Sequence, residues 1–205
     1  MAKRFSLVHG IGINDADSPV TRVSASGKRI HCKYYSVWAS MICRCYSTNY
    51  HNAKPTYSEC EVCEEWLTFS NFKRWMQTKD WQGKHLDKDI LFPGNKIYSP
   101  ATCCFVSQIV NSFFADSGAI RGNFKIGVCF DKQRGKFTAT CGNPITRKRE
   151  MLGRYSSEDE AYGAWLSMKM SHAESLAATI DDELISEAVK TFYHKTTAKL
   201  VKVNG

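Results

Sequence analysis

The sequence predicts an α+β protein of two domains, residues 1–117 and 118–205. Three observations lead to this prediction. Apolar residues recur at three-and-four spacing in two segments of the first half, which indicates amphipathic helices. Three short strand-like runs in the second half precede another helical pattern, which indicates a small sheet packed on a helix. Between these patterns, residues 116–122 are small and polar with two glycines, as is typical of a domain boundary.

The first domain is expected to begin with an extended arm that contains one short strand, because glycine and proline interrupt any periodicity in the first thirty residues. A helix follows over residues 34–45, and a loop over 47–55 ends it. The apolar face of that helix consists of Tyr34, Val37, Trp38, Met41, Ile42 and Cys45. A second helix, capped by Thr68 or Ser70, carries Phe69, Phe72, Trp75 and Met76 on one side.

The end of the first domain is predicted to contain two strands and a short helix. The first strand precedes a turn at residues 93–95, and the second follows Pro100. Ser107 is expected to cap the short helix, which contains Asn111.

The second domain is predicted to hold three strands, at residues 124–130, 136–141 and 151–155. Because side chains alternate along a strand, Phe137 and Ala139 should face the following helix, while Lys136, Thr138 and Thr140 face away from it. That helix begins at Ser156 or Ser157 with three acidic residues, which suit its positive end. A last helix is expected over residues 181–200.

The charge of the chain is concentrated in this predicted sheet. The formal net charge is +8 and the pI is about 9.0, which favours a polyanionic partner. Residues 121–154 contain nine basic and two acidic residues, a local excess of +7. The positive charge therefore belongs mainly to one short segment.

Residues 125–177 resemble an APETALA2-type DNA-binding domain. The resemblance rests on KIGVCF for the first strand, GKFTATC for the second, and MLGRYSSEDEA for the third strand and the helix start. It implies a sheet that lies in the major groove of double-stranded DNA, although Ile126 and Cys129 stand where the family has arginines. The residues expected to contact DNA are Lys125, Lys132, Arg134, Lys136, Thr138, Thr140, Arg147, Lys148, Arg149 and Arg154.

Residues 38–111 resemble the HNH-type modules of phage-borne, homing-like endonucleases. The similar stretches are YSVWASMICRCY, CEVCEEWLTFSNFKRWM and LDKDILFPGNKIYSPATCCFVS. The resemblance implies a ββα-containing domain in which Asp87 and Asn111 hold Mg²⁺ or Mn²⁺. Lys88 occupies the place of the family's general base, and a lysine of ordinary pKa is protonated at neutral pH. The module is therefore expected to be degenerate, with Asp89 and His85 as the remaining candidates for an altered catalytic site.

The nine cysteines are expected to be reduced thiols in a cytoplasmic protein. No apolar run is long enough for a membrane span, and the first residues contain no export signal. Cys60 and Cys63 form a CxxC pair that could bind structural zinc together with another cysteine. Buried free thiols are the alternative.

Three functions are compatible with these patterns. The first is a sequence- or structure-selective DNA-binding protein of phage or mobile-element type, in which the nuclease-like domain is an inactive scaffold. The second is a metal-dependent endonuclease that nicks or cuts DNA with an altered site. The third is a protein that binds and inhibits a host factor. The sequence does not predict an oligomeric state.

Overall fold

The computed structural model describes residues 6–114 and 123–203. The chain divides into two compact units, Met1–Phe105 and Val106–Gly205, and both contain helices and strands. The predicted α+β class is thereby confirmed. The predicted boundary between residues 117 and 118 lies outside the described residues, and the two compact units divide earlier, between Phe105 and Val106.

The first unit begins with two small hairpins. Strands β1 (Ser6–Val8) and β2 (Gly12–Asn14) pair antiparallel, as do β3 (Thr21–Val23) and β4 (Arg29–His31). The prediction of an extended arm with one strand was therefore wrong. Gly10 and Gly27 adopt a φ of 78°, a backbone conformation that favours glycine, and each lies in the turn of its hairpin.

The first unit contains three helices, α1 (Lys33–Tyr46), α2 (Thr48–Ala53) and α3 (Phe69–Gln77), of which α1 and α3 contribute buried residues to its core. The predicted helices at 34–45 and after Thr68 are confirmed. The predicted loop at 47–55 was wrong, because Ser47 caps α2 by accepting a hydrogen bond from the Tyr50 amide. The largest fully buried side chains of this core are Trp38, Trp66, Tyr98, Phe72, Met41 and Ile42.

Short strands and 3-10 turns complete the first unit. Strand β5 (Glu61–Val62) pairs in parallel with β7 (Ile97–Tyr98), and β6 (His85–Asp87) pairs with β8 (Cys104–Val106). The 3-10 turns are Pro55–Tyr57 and Glu64–Leu67.

The second unit contains a short helix, a three-stranded sheet and two long helices. Helix α4 (Gln108–Phe114) begins after Ser107, whose hydroxyl accepts a hydrogen bond from the Val110 amide, as predicted. Strands β9 (Val128–Asp131), β10 (Lys136–Gly142) and β11 (Arg149–Tyr155) form an antiparallel sheet in the order β11-β10-β9. The long helices are α5 (Glu158–Ala177) and α6 (Glu183–Val203).

Helix α5 covers one side of the sheet. Val128, Ala139 and Ala161 are buried together between them, so the predicted sheet on a helix is confirmed. The first strand begins at Val128 rather than Phe124, because residues 125–128 form a turn closed by a hydrogen bond from the Val128 amide to the Lys125 carbonyl. No helix within the described ranges is long and apolar enough to cross a membrane.

Candidate nucleic-acid interface

The sheet of the second unit has a polar side that faces away from α5, which we call the outer face. Along β10, Ala139 and Cys141 are buried on the α5 side, whereas Lys136 is exposed and Thr138 and Thr140 are partly exposed. This alternation follows from the period of two along a strand. The predicted orientation of these side chains is confirmed.

Strand β11 adds three long side chains to the outer face. Arg154 lies opposite Thr138 and Met151 lies opposite Thr140, and directly opposed residues point to the same side of a sheet. Arg149 donates a hydrogen bond from Nε to Thr140 Oγ1 at 3.1 Å. The face therefore combines two arginines with two hydroxyls and an apolar side chain that is 54% exposed.

A β-bulge makes this grouping possible. The register of β10 and β11 shifts between Ala139 and Thr140, so that β11 contains one extra residue. Residues 151 and 154 are three positions apart and would point to opposite sides of a regular strand. The bulge brings Met151 and Arg154 to the same side. Met151 was not among the predicted contact residues, since strict alternation does not place it there.

The turns that join the strands carry the remaining basic residues. Lys132 and Arg134 lie in the β9–β10 turn, and Arg147 and Lys148 lie in the β10–β11 connection. In that connection Asn143 Oδ1 accepts hydrogen bonds from two backbone amides, and Arg147 has a φ of 59°. Every basic candidate of the second unit is exposed: Lys125, Lys132, Arg134, Lys136, Arg147, Lys148, Arg149 and Arg154.

Asp131 is the acidic residue on the outer face, where it lies opposite Lys136. Its Oδ2 is 3.1 Å from Arg134 Nη1 and 3.8 Å from Arg154 Nε. The hydrogen bond from Arg134 is the main reason that the pKa of Asp131 is lowered. The other acid of the segment, Glu150, pairs across the sheet with buried Cys141 and contacts His172 Nε2 at 3.2 Å. The outer face therefore keeps a net positive charge.

Lys125 is placed differently from the other basic candidates. It lies in the turn before β9, where its ammonium pairs with Asp159 at the beginning of α5 and lies 5.4 Å from the Tyr162 ring centroid. The hydrogen bond with Asp159 raises the pKa of Lys125. Lys125 therefore holds the turn against the helix and stays protonated.

Asp87, Lys88 and Asp89, which were predicted as candidates for a nuclease site, lie at the end of β6. Asp87 is the last residue of that strand, and its Oδ1 accepts hydrogen bonds from the amides of Asp89 at 2.7 Å and Ile90 at 2.8 Å. Burial raises the pKa of Asp87, and the two amides only partly offset it. Asp89 lies beyond the end of this strand, and its carboxylate accepts hydrogen bonds from Lys88.

Lys88 is buried and fully bonded. Its ammonium donates to both carboxylate oxygens of Asp89, at 2.8 and 2.9 Å, and to the Asn95 carbonyl at 2.8 Å. Burial opposes the charged form, but the hydrogen bonds and the attraction of Asp89 outweigh it and raise the pKa of Lys88 above its ordinary value. A lysine in this setting remains protonated at neutral pH and does not accept a proton from water.

The other predicted metal and catalytic candidates belong to different elements. His85 is exposed on β6, whereas Asn111 belongs to α4 of the second unit. Cys60 is buried and Cys63 is half-buried, and burial raises the pKa of both thiols. Within residues 6–114 and 123–203, no three His, Cys, Asp or Glu side chains are grouped so that they could hold a metal ion. The residues around Cys60 and Cys63 therefore do not fit a zinc site.

Comparisons with known proteins add no identification. No family model, no curated protein and no solved structure matches the chain.

Proposed function

We propose that the protein binds double-stranded DNA through the outer face of its three-stranded sheet, in the manner of the APETALA2-type domains that residues 125–177 resemble. The observation that carries this proposal is that the two sides of the sheet differ in the type of side chain they present. Buried apolar residues face α5, while exposed basic residues and two threonines share the opposite side. A helix-backed small sheet with such a face is of a size that can enter the major groove.

The outer face offers different contacts at its centre and at its rim. Arg147 and Lys148 in the connecting turn, with Lys136 on β10, are placed for phosphate contacts, which provide affinity and position the protein. Thr140 and Met151 lie opposite each other nearer the centre. A threonine hydroxyl can bond a base edge, and an exposed apolar side chain can contact the thymine methyl group.

We expect β9 to make fewer DNA contacts than the first strand of the sheet makes in the family. Where the family has arginines, Ile126 lies in the turn before β9, and Cys129 is an exposed residue opposite Thr138. Recognition would then depend on β10, β11 and their connection. Any sequence preference should therefore differ from the guanine contacts that arginines on the first strand would make.

For the first unit we propose the role of a nuclease-like scaffold without HNH hydrolysis. The position of the family's general base is taken by Lys88, whose proton is held by Asp89 and the Asn95 carbonyl. Asp87 uses one carboxylate oxygen to bond two backbone amides. These contacts give both residues a structural role in the turn after β6. Supercoiled plasmid should therefore stay intact with Mg²⁺ or Mn²⁺, and metal-dependent nicking that Asp87→Ala abolishes would refute the scaffold role.

Binding of a fluorescent DNA duplex, followed by anisotropy, tests the proposal. The triple variant Arg147→Ala, Lys148→Ala, Arg149→Ala should bind at least about tenfold more weakly, because it removes three exposed cations from one end of the outer face. Its binding should also depend less steeply on salt concentration, since fewer counterions are released.

The matched control replaces three exposed or partly exposed lysines of the first unit, Lys79, Lys84 and Lys96, with alanine. This control changes the net charge by the same amount and should retain most of the duplex affinity. Equal losses in the two triple variants would show that net charge, rather than the outer face, determines binding.

A further inference from the structure

His172 is a buried polar side chain on the side of α5 that covers the sheet. It is 6% exposed, and among the described residues Lys88 is the other polar or charged side chain that is buried to this degree. A buried polar group without a hydrogen-bond partner is costly, so the partners of such a group indicate what it stabilises. The partners of His172 lie next to the connection between β10 and β11.

Both ring nitrogens of His172 contact the sheet. Nε2 lies 3.2 Å from Glu150 Oε2, and Nδ1 lies 3.7 Å from Cys141 Sγ. Because an ionised carboxylate only accepts hydrogen bonds, Nε2 carries a proton and donates it to Glu150. Glu150 and Cys141 lie directly opposite each other on β11 and β10, so the ring is held by both strands.

Glu150 links His172 to the connection between the two strands. Its second carboxylate oxygen, Oε1, accepts a hydrogen bond from Asn143 Nδ2 at 2.8 Å. This bond fixes which end of the Asn143 amide group faces the connection, because the donor and the acceptor of that group lie on opposite arms. Oδ1 is thereby directed to the backbone amides of Ile145 and Thr146, from which it accepts hydrogen bonds at 2.9 and 3.0 Å.

The connection adopts a conformation that needs such support. Arg147 has a φ of 59°, in the left-handed region that a non-glycine residue seldom occupies unless surrounding contacts hold it there. The Arg147 amide donates to the Asn143 carbonyl at 3.0 Å, and the Asn143 amide donates to the Lys148 carbonyl at 2.9 Å. The backbone of the two basic residues is therefore oriented by contacts that converge on Asn143.

We propose that His172 is a positioning residue for DNA binding. Through Glu150 and Asn143, it holds the β10–β11 connection in the conformation in which Arg147 and Lys148 contact the phosphate groups of a duplex. His172 itself lies on the α5 side of the sheet and makes no contact with DNA. The proposal rests on the proposed binding of DNA by the outer face, and its physical basis is that a preordered turn loses less conformational entropy on binding.

Anisotropy titration of a duplex with variants of the full chain tests this role. His172→Leu retains an apolar side chain of similar size but cannot donate to Glu150, and should weaken duplex binding about fivefold. His172→Gln keeps a donor near the position of Nε2 and should bind like the parent protein. The control Leu176→Val alters a buried residue one turn further along α5, and should lower stability without weakening binding. Equal weakening by His172→Leu and Leu176→Val would overturn the proposal.

A substitution of Glu150 avoids the core, because this side chain is partly exposed. In Glu150→Gln one carboxylate oxygen becomes an amino group, which cannot accept a hydrogen bond from either His172 or Asn143. Removal of an acidic group would by charge alone strengthen binding to DNA. Weaker duplex binding by Glu150→Gln is expected instead, because the link between His172 and the connection is broken. Unchanged or stronger binding would overturn the proposal.

A double-mutant cycle shows whether His172 acts through the connection. In the background of Arg147→Ala with Lys148→Ala, His172→Leu should have no further effect on duplex affinity, because the side chains that it positions are absent. The same loss of affinity in both backgrounds would overturn the proposal.

Amide hydrogen exchange followed by NMR provides a measurement without DNA. In His172→Leu, the amides of Ile145 and Thr146 should exchange at least about fivefold faster than in the parent protein. The Thr140 amide, which donates to the Gly127 carbonyl, should keep its exchange rate. Unchanged exchange at residues 145 and 146 would overturn the positioning role.

Failure of this proposal can be told apart from failure of the proposed function. If the triple variant of residues 147–149 binds duplex weakly while His172→Leu binds like the parent protein, the outer face stands and only the role of His172 is refuted. If the triple variant binds like the parent protein, the outer face is refuted, and the role of His172 in DNA binding is refuted with it.

Discussion

The backbone of Gly127 lies directly against the indole of Trp165. A β-carbon at residue 127 would be 1.9 Å from Trp165 Cδ1, and the φ of Gly127 is 78°. The Gly127 carbonyl also accepts a hydrogen bond from the Thr140 amide, so this contact joins α5 to the turn before β9 and to β10. The packing of the helix therefore fixes the sheet from which the outer face projects.

Substitution of Gly127 should be far more damaging than substitution of a glycine in an open turn. Gly127→Ala meets both backbone strain and the Trp165 ring, and should lower the free energy of unfolding by about 3 kcal/mol or more. Gly135→Ala is the control, because Gly135 also has a positive φ but open space around it. Gly135→Ala should lower the free energy of unfolding by roughly 1 kcal/mol. Similar losses in urea denaturation would show that the Trp165 contact contributes little.

Removal of the carboxylate on the outer face should strengthen duplex binding. Asp131 pairs with Arg134 and Arg154, and these contacts compete with phosphate for the two guanidinium groups. Asp131→Asn should increase affinity about fivefold at low salt, which corresponds to roughly 1 kcal/mol. Anisotropy titration measures the change, with Asp159→Asn as the control that removes an acid paired with Lys125 instead. Weaker binding by Asp131→Asn would indicate that Asp131 itself positions the arginines.

Two substitutions of Asp87 should separate the role of its charge from that of its oxygen atoms. Asparagine keeps an acceptor for the Asp89 and Ile90 amides and removes a charge whose burial raises the pKa. Asp87→Asn should therefore leave the stability unchanged or slightly higher. Asp87→Ala removes the acceptor for the two amides and should lower the free energy of unfolding by about 1 to 2 kcal/mol. Equal destabilisation of the two variants in thermal denaturation would refute this assignment.

The pair of Lys88 and Asp89 should give a stability contribution that is lost in alkali. The folded-state pKa of Lys88 is raised above 10.5, so the contribution is present below pH 10.5 and disappears as the pH rises through the folded value. Lys88→Met should lower stability by about 2 kcal/mol at neutral pH, because it removes the donor to the Asn95 carbonyl. Chemical denaturation at a series of pH values should give free energies of unfolding for the parent protein and for Lys88→Met that converge above pH 10.5. A constant difference would show that packing, rather than charge, explains the loss.

Elements with a strong apolar period could be predicted from the sequence. Helix α1 and helix α3 bury Trp38, Met41 and Phe72 at the predicted spacing, and β10 alternates as predicted around Ala139. Helix α2 was missed because its sequence TNYHNA has no buried residue and is held by the Ser47 cap. The two amino-terminal hairpins were missed for a related reason, since their strands have only three residues each.

Site features that depend on tertiary contacts could not be predicted. Lysine is seldom buried, so no local pattern indicates that Lys88 is enclosed by Asp89 and Asn95. The place of Met151 on the outer face follows from a bulge, and no local pattern indicates one there. A cavity beside Lys73 is lined by residues from two parts of the chain that are more than thirty residues apart, which the sequence alone does not bring together.

Photo-cross-linking from the outer face tests the central claim most directly. Benzoylphenylalanine replaces Thr140 in one variant and Gly163 in another. Thr140 lies on the outer face, whereas Gly163 is an exposed residue of α5 with open space around it. After irradiation with a bound duplex, the variant at residue 140 should form a covalent protein–DNA adduct, and the variant at 163 should not. Adducts from residue 163 but not from residue 140, with duplex affinity retained in both, would contradict the outer face as the DNA-binding surface.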